Sequence, residues 1–188
     1  PGGVGGAFLS GVVFPAAQVM VDTDTESDMD LPPVVAFGLS QRLNDDWTLL
    51  FDVERTFWST IETVTTMFDS NQPDHITEFY WQDTWRVALG FEWDYSEDFT
   101  FRFGTAWDQS PGRDREYRTP RMPDVNRYWA SCGMTYRFSE TLEFDVAYMH
   151  LFMDKGKSEY YDINTEETLS GTYTGRADLL SFGMIWKY

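Results

Sequence analysis

The chain has 188 residues, 42% hydrophobic and 18% aromatic, with 31 acidic against 14 basic side chains and a formal net charge of −17. That length supports a single core of ordinary size, and the acidic excess repels polyphosphate, so nucleic acid is ruled out as a partner. Fifteen Phe, ten Tyr and eight Trp are dispersed through a sequence of mean hydropathy −0.42. No stretch reaches the roughly 18 apolar residues of a membrane helix, which leaves any membrane crossing to strands.

The opening Pro1-Gly2-Gly3-Val4-Gly5-Gly6 carries no initiator Met and no basic leader, so we expect sequence to precede it. A weak strand is expected within residues 7–22, where Pro15 blurs the alternation. The acidic run Asp22, Asp24, Glu26, Asp28 and Asp30 follows in a polar loop over about 23–32; its spacing matches no calcium loop and reads as a solvated segment. Val35, Phe37 and Leu39 begin a strand, and after the turn Asn44-Asp45-Asp46 the residues Trp47, Leu49, Phe51 and Val53 oppose Thr48, Asp52 and Glu54. A loop over about 68–77, which includes His75, leads to the clearest strand. Over residues 84–95, Trp85, Val87, Leu89, Phe91, Trp93 and Tyr95 alternate with Arg86, Ala88, Gly90, Glu92 and Asp94.

Ser96-Glu97-Asp98 makes a tight turn into Phe99, Phe101, Phe103 and Thr105, which oppose Thr100, Arg102, Gly104 and Ala106. A long loop over 109–126 precedes Ala130, Cys132, Met134, Tyr136 and Phe138, set against Ser131, Gly133, Thr135 and Arg137. Cys132, the one cysteine, sits in this alternation as a buried or lipid-facing structural thiol. The turn Ser139-Glu140 leads to Leu142, Phe144, Val146 and Tyr148; a loop over about 155–170 follows, then a final run of Leu180, Phe182, Met184, Trp186 and Tyr188.

Short and long connections therefore alternate strictly over about eight strands. A soluble sandwich gives its two ends no reason to differ, whereas an outer-membrane barrel has tight turns on its periplasmic side and long loops outside. Trp47, Trp93, Tyr95, Phe99, Tyr136, Phe138, Trp186 and Tyr188 all cluster beside the short turns or the C-terminus, as an interfacial girdle requires and a sandwich core does not. The expected fold is all-β, an antiparallel barrel wall with large apolar residues facing lipid. Leu89, Phe101, Cys132, Phe144 and Phe182 belong on the convex face, and Arg86, Arg102, Gly133, Asp145 and Gly183 on the concave one. The ending Ser181-Phe182-Gly183-Met184-Ile185-Trp186-Lys187-Tyr188 resembles the barrel-assembly signal of outer-membrane proteins, with Ser181, Gly183, Trp186 and Tyr188 at its defining positions. It implies the barrel-assembly machinery as a partner and a periplasmic C-terminus.

Several segments together resemble one family. Residues 81–90, Trp-Gln-Asp-Thr-Trp-Arg-Val-Ala-Leu-Gly, are followed by Phe99-Thr100-Phe101-Arg102-Phe103-Gly104 and by Asp108-Gln109-Ser110-Pro111. Arg118-Thr119-Pro120-Arg121-Met122-Pro123-Asp124, Arg127-Tyr128-Trp129, Tyr148-Met149-His150 and Leu31-Pro32 complete the likeness, which is to the C-terminal half of the FadL-type long-chain fatty-acid transporters (OMPP1/FadL/TodX). The resemblance implies a bacterial outer-membrane barrel of about fourteen strands, with an N-terminal plug and a lateral opening. Members carry long-chain fatty acids or other hydrophobic compounds, including aromatic hydrocarbons. The plug, an Asn-Pro-Ala motif and about six strands have no counterpart here, so residues 1–188 are expected to form the C-terminal part of one barrel domain, open at its edges.

A carboxylate crossing such a lumen calls for a fixed cation, since charge-assisted hydrogen bonds are about twice as strong as neutral ones. Arg86, Arg102 and Arg137 occupy inward positions and are the candidate ligand-binding residues; the competing role is neutralisation of Glu92, Asp94, Glu143 and Asp145. Arg113, Arg115, Arg118, Arg121 and Arg127 make the loop from Asp108 to Arg127 basic, suited to lipopolysaccharide phosphates, to a fatty-acid head group, or to bracing its neighbours as a solvated loop. No Gly-x-Ser-x-Gly motif is present, and a triad of His150, Asp154 and a loop Ser is a remote alternative, so no enzyme, metal or cofactor is expected. The expected function is passive uptake of long-chain fatty acid or another hydrophobic small molecule, with outer-membrane lipid and lipopolysaccharide as surroundings. The alternative is a small OmpA-like barrel of structural or adhesive role. Its narrow lumen would be packed with large side chains, whereas Gly38, Gly90, Gly104, Gly133, Gly183, Ala88, Ala106 and Ala147 favour a wider one.

Overall fold

The computed structural model describes residues 23–70, 73–119, 122, 124–162 and 166–187. Its strands are β1 Thr25–Ser27, β2 Val34–Arg42, β3 Trp47–Thr56, β4 Thr63–Phe68, β5 His75–Glu78, β6 Thr84–Asp94, β7 Phe99–Asp108, β8 Arg127–Ser139, β9 Leu142–Met153, β10 Gly156–Asp162, β11 Glu167–Tyr173 and β12 Arg176–Trp186, with a 3-10 turn at Trp58–Thr60. The weak strand expected within residues 7–22 lies outside the described residues. Seven strands form one antiparallel sheet in the order β12-β9-β8-β7-β6-β3-β2, an up-and-down meander in which every neighbour in space is the next long strand in sequence.

Register turns the period-2 pattern into two chemically distinct faces, because a pleated strand sends successive side chains to opposite sides. One transverse row runs Trp47, Trp93, Phe101, Met134, Val146 and Phe182 across six strands. The opposite face carries rows such as Gly38, Asp52, Ala88, Ala106, Trp129, Leu151 and Ala177. The two residue sets expected on opposite faces fall there, and the sheet curls around the face that bears Arg86, Arg102, Gly133, Asp145 and Gly183.

The apolar face is not a protein core. Phe37, Phe182 and Trp186 are 60%, 73% and 70% exposed, and among the described residues the buried hydrophobic side chains are Ile61, Phe79, Ala106, Val125 and Leu151. Large apolar side chains exposed across a whole sheet face are unlike the surface of a soluble monomer, so hydrocarbon is their natural solvent. Aromatic rings close its lower margin: Trp47 stacks on Trp93 at 5.3 Å, Trp93 meets Phe101 at 5.8 Å, and Phe99 stacks on Tyr136 at 4.7 Å. A second aromatic row, Trp107, Tyr128 and Phe152, crosses β7, β8 and β9 near the other margin. Beside it Arg55 lies 5.2 Å from the Trp85 ring and 3.1 Å from Asp83. Hydrogen bonds from the Ser59 hydroxyl and backbone N–H, with the Arg55 guanidinium, hold the Asp83 carboxyl below the usual carboxylate range.

The long connections correct one expectation. The stretches read as loops over 23–32, 68–77 and 155–170 contain strands: β1 pairs with β4, β4 with β5, and β10 with β11. His75 begins β5 and does not lie in a loop. These strands show no hydrophobic alternation, and β10 turns Gly156 and Ser158 onto the stretch over 109–126 rather than to lipid; in β4 the β-branched Thr63, Val64, Thr65 and Thr66 supply strand preference.

The remaining long connection, 109–126, is irregular over its described residues, and Arg118 ties several of them together. The Arg118 guanidinium donates to the carbonyls of Asp124 at 2.9 Å, Gly112 at 3.0 Å and Lys157, while the Ser158 hydroxyl donates back to the Arg118 carbonyl. Gly156 permits this contact, since a Cβ there would stand 2.5 Å from Val125 Cγ1. Replacing Arg118 by Ala strips these carbonyls of their donor at about 1–3 kcal/mol for each one that is buried. Limited proteolysis of the full-length protein should then cut near residues 113–116 at least about tenfold faster; an unchanged rate would show that Arg118 does not hold the loop.

Candidate functional site: the concave trough

The concave face encloses a trough of about 1180 Å³, larger than the ~300–1,000 Å³ of ordinary small-molecule pockets. Its middle is lined by side chains too small to fill it, among them Gly38, Ala88, Gly90, Gly104, Ser131 and Gly133, with Leu50, Trp129 and Met149 supplying apolar walls. A Cβ at Gly104 would lie 2.9 Å from Ser131 Oγ, so a larger residue would turn that hydroxyl away from the Gly104 carbonyl, to which it donates at 3.3 Å.

Charged belts lie above and below this apolar middle, and the three candidate arginines divide between them. Arg102 and Arg137 sit near the short-turn end, where both make side-chain hydrogen bonds. Arg102 Nε donates to Glu92 Oε2 at 2.6 Å and its Nη1 to Thr135 Oγ1 at 2.7 Å, and the Thr135 hydroxyl passes the chain on to Asp145. Arg137 Nη1 donates to Thr100 Oγ1 at 3.1 Å and the Glu97 carbonyl at 3.3 Å, and the Thr100 hydroxyl donates to Asp94 at 2.7 Å. Thr100 and Thr135 are among the most buried residues of the chain, at 0% and 4% exposure, so this belt is a packed network rather than a loose ring of charges.

Arg86 is different. It lies on β6 near the long-loop end, facing Glu54 on one side and Asp108 on the other, and its closest carboxylate is Asp52 Oδ1 at 3.6 Å. Asp108 is occupied by Arg127 Nη2 at 2.9 Å, and Arg127 Nη1 also reaches Asp124 at 3.0 Å. Of the three candidates, Arg86 thus has the most donor capacity left facing the trough. The acids expected as partners were Glu92, Asp94, Glu143 and Asp145; Asp52 and Asp108 at the upper belt and Lys187, which takes Glu143, are additional members. Trp129 is a further trough residue that shares its strand parity with Ser131 and Gly133, the signal by which it could have been found.

The other sites separate cleanly. Ser181 and Gly183 face inward, Gly183 beside Asp145, while Trp186 faces outward opposite Leu142; Tyr188 lies outside the described residues. In the basic loop Arg115 pairs with Glu159 at 3.1 Å, and Arg118 and Arg127 are held as above, so these arginines brace the long connections. Arg121 lies outside the described residues. His150 does not join Asp154: its Nδ1 lies 2.6 Å from Asp178 Oδ1, which also accepts from the Tyr148 hydroxyl at 2.6 Å, on the outward face. Among the described residues no group of three or more His, Cys, Asp or Glu could hold a metal ion.

A curled antiparallel meander with an apolar convex face, aromatic margins and a polar, trough-lining concave face is part of the wall of an outer-membrane β-barrel. Residues 4–188 match the family described as outer membrane protein transport protein (OMPP1/FadL/TodX), and the chain belongs to that family. It is 32% identical over 124 residues to a long-chain fatty acid transport protein of Escherichia coli, covering 65% of this chain and 28% of that protein. Outer membrane protein P1 of Haemophilus influenzae is 28% identical over 168 residues, covering 85% of this chain and 36% of the relative. Among solved structures, a Pseudomonas aeruginosa FadL homologue superposes with a TM-score of 0.78 at 26% identity over 86% of this chain and 37% of that one. The Pseudomonas putida toluene transporter TodX superposes at 0.65, with 18% identity, 88% of this chain and 37% of that one, a likeness of fold. The chain thus spans about a third of the length of these relatives, and the sheet described here is an open portion of a larger barrel.

Proposed function

We propose that residues 1–188 supply the C-terminal part of the barrel of an outer-membrane channel for passive uptake of long-chain fatty acids or related hydrophobic compounds. In this reading the short turns and the C-terminus face the periplasm, and the barrel-assembly machinery recognises Ser181, Gly183, Trp186 and Tyr188. The observation that carries the proposal is a wide apolar trough, floored by small residues, with one under-used guanidinium at its outer end: Arg86, whose nearest carboxylate is 3.6 Å away. Such an arrangement offers greasy surface to an acyl chain and a charge-assisted hydrogen bond to its head group. The family's fatty-acid and toluene transporters support the cargo class.

Replacing Arg86 by Ala in the full-length protein should slow uptake of a long-chain fatty acid about five- to tenfold, as expected for the loss of one charge-assisted bond of about 1–1.4 kcal/mol. Uptake of an uncharged hydrocarbon should be unaffected, and the heat-modifiable barrel should assemble normally. Wild-type fatty-acid uptake by a correctly assembled variant would remove Arg86 from the pathway.

A further inference from the structure

A second, smaller cavity of about 250 Å³ opens on the long-loop side of the sheet, lined by Glu78, Glu116, Tyr117, Tyr160 and Tyr161. Three separate connections meet there: Glu78 ends β5, Glu116 and Tyr117 belong to the irregular stretch over 109–126, and Tyr160 and Tyr161 lie on β10. We propose that this pocket binds a small organic cation, an amine or quaternary ammonium group.

The chemistry of the lining points to that class. Two carboxylates stand among phenol rings, and the adjacent guanidinium of Arg115 is spent on Glu159 at 3.1 Å. One of the three connections adds negative charge, since Glu62, Asp69, Asp74, Glu78 and Asp83 all fall between β3 and β6 with no Lys or Arg; the stretch over 109–126 brings Arg113, Arg115 and Arg118, of which Arg115 is paired with Glu159 and Arg118 with backbone carbonyls. Tyr80 adjoins the lining without belonging to it and packs against one of its rings, Tyr117. Tyr80 adopts a left-handed φ of 44°, rare for a residue with a Cβ, and with Phe79 it donates its backbone N–H to the Glu62 carbonyl. That turn sets the Tyr80 ring edge-on to Tyr117, with centroids 4.8 Å apart, and brings its hydroxyl to 3.4 Å from Glu78 Oε1. The Glu78 charge holds the Tyr80 phenol above its ordinary range. A divalent metal would require more oxygen ligands than two carboxylates, and no such group exists among the described residues. A weakly hydrated ammonium instead gains from ring faces and diffuse negative charge together.

The test is titration of the full-length protein in detergent with choline and with its uncharged isostere 3,3-dimethylbutan-1-ol, followed by ligand-observed NMR. Choline should bind with a Kd of about 1 mM, and the isostere at least about tenfold more weakly. The double variant Glu78→Gln, Glu116→Gln should erase that difference, and Tyr117→Leu should weaken choline alone, with heat-modifiability confirming assembly of each. Equal binding of the two probes, no choline binding by the assembled wild type at about 10 mM, or binding indifferent to these substitutions would overturn the proposal. Displacement of choline by micromolar calcium would overturn it in favour of an inorganic cation.

Discussion

A full-length protein carrying Leu89→Arg is expected to lose about 2–4 kcal/mol of barrel stability, the cost of arginine on the lipid face at mid-membrane depth. Leu89 lies on β6 midway between Trp85 and Trp93, in an outward row with Phe51, Thr105 and Ala130. The polar group next to Leu89 in that row is the Thr105 hydroxyl, committed to the Trp129 carbonyl at 2.9 Å; His150 and Asp178 lie farther along it and pair with each other. The neighbouring substitution Ala88→Lys is the control. Ala88 faces inward opposite Asp52 and borders the wide trough, so a cation there finds both space and a counter-charge and should change stability by less than about 1 kcal/mol. Urea unfolding in lipid, scored by the fraction of heat-modifiable monomer, measures both. Equal tolerance of the two changes would contradict the assignment of faces.

A polypeptide limited to these 188 residues is expected to aggregate rather than insert. Among the described residues β12 pairs only with β9 and β2 only with β3, so each leaves a row of backbone donors and acceptors without a strand partner. Each unpaired group placed in hydrocarbon costs several kcal/mol, and β12 alone spans 11 residues. The curvature cannot simply tighten to bring the edges together, because strand number, tilt and shear are linked and the small residues of the trough belong to a wide wall. Reconstitution into liposomes followed by unheated and heated electrophoresis tests this. A heat-modifiable monomer with a β2 to β12 ladder would identify a complete small barrel and revive the structural or adhesive reading.

Much of this wall is legible in the bare sequence because a barrel strand must satisfy two solvents at once. Wherever one face meets lipid and the other a lumen, as from Thr84 to Asp94, alternation is forced, and parity alone assigns Leu89 outward and Arg86 inward. The hairpins at the long-connection end escape that logic. Residues of β4, β5, β10 and β11 do not divide between lipid and lumen, and Gly156 and Ser158 of β10 are buried against a polar loop, so nothing in their polarity separates a strand from a loop. Partnership across strands is hidden for a different reason. Parity gives a side chain its face but not its height, and height depends on the register of each turn. Asp52 and Arg86, or Glu143 and Lys187, become neighbours only after that register is set. For the same reason nothing in the residue types distinguishes the engaged Arg102 from the lightly held Arg86.

The spacing of the two aromatic margins carries a consequence for the bilayer itself. On β6 Trp85 and Trp93 are eight positions apart, as are Phe99 and Trp107 on β7 and Tyr128 and Tyr136 on β8. With a rise of about 3.3 Å per residue and a tilt near 40°, eight positions span roughly 20 Å along the membrane normal. That height is below the ~30 Å hydrocarbon thickness of an average bilayer and suits the thinner bacterial outer membrane. Anchored by indole and phenol rings at both levels, the wall would force a thicker membrane to compress around it, at a cost of a fraction of a kcal/mol for each Å of mismatch. The protein therefore carries its own gauge of the membrane in which it is stable, and lipids with short acyl chains are the natural medium for its reconstitution.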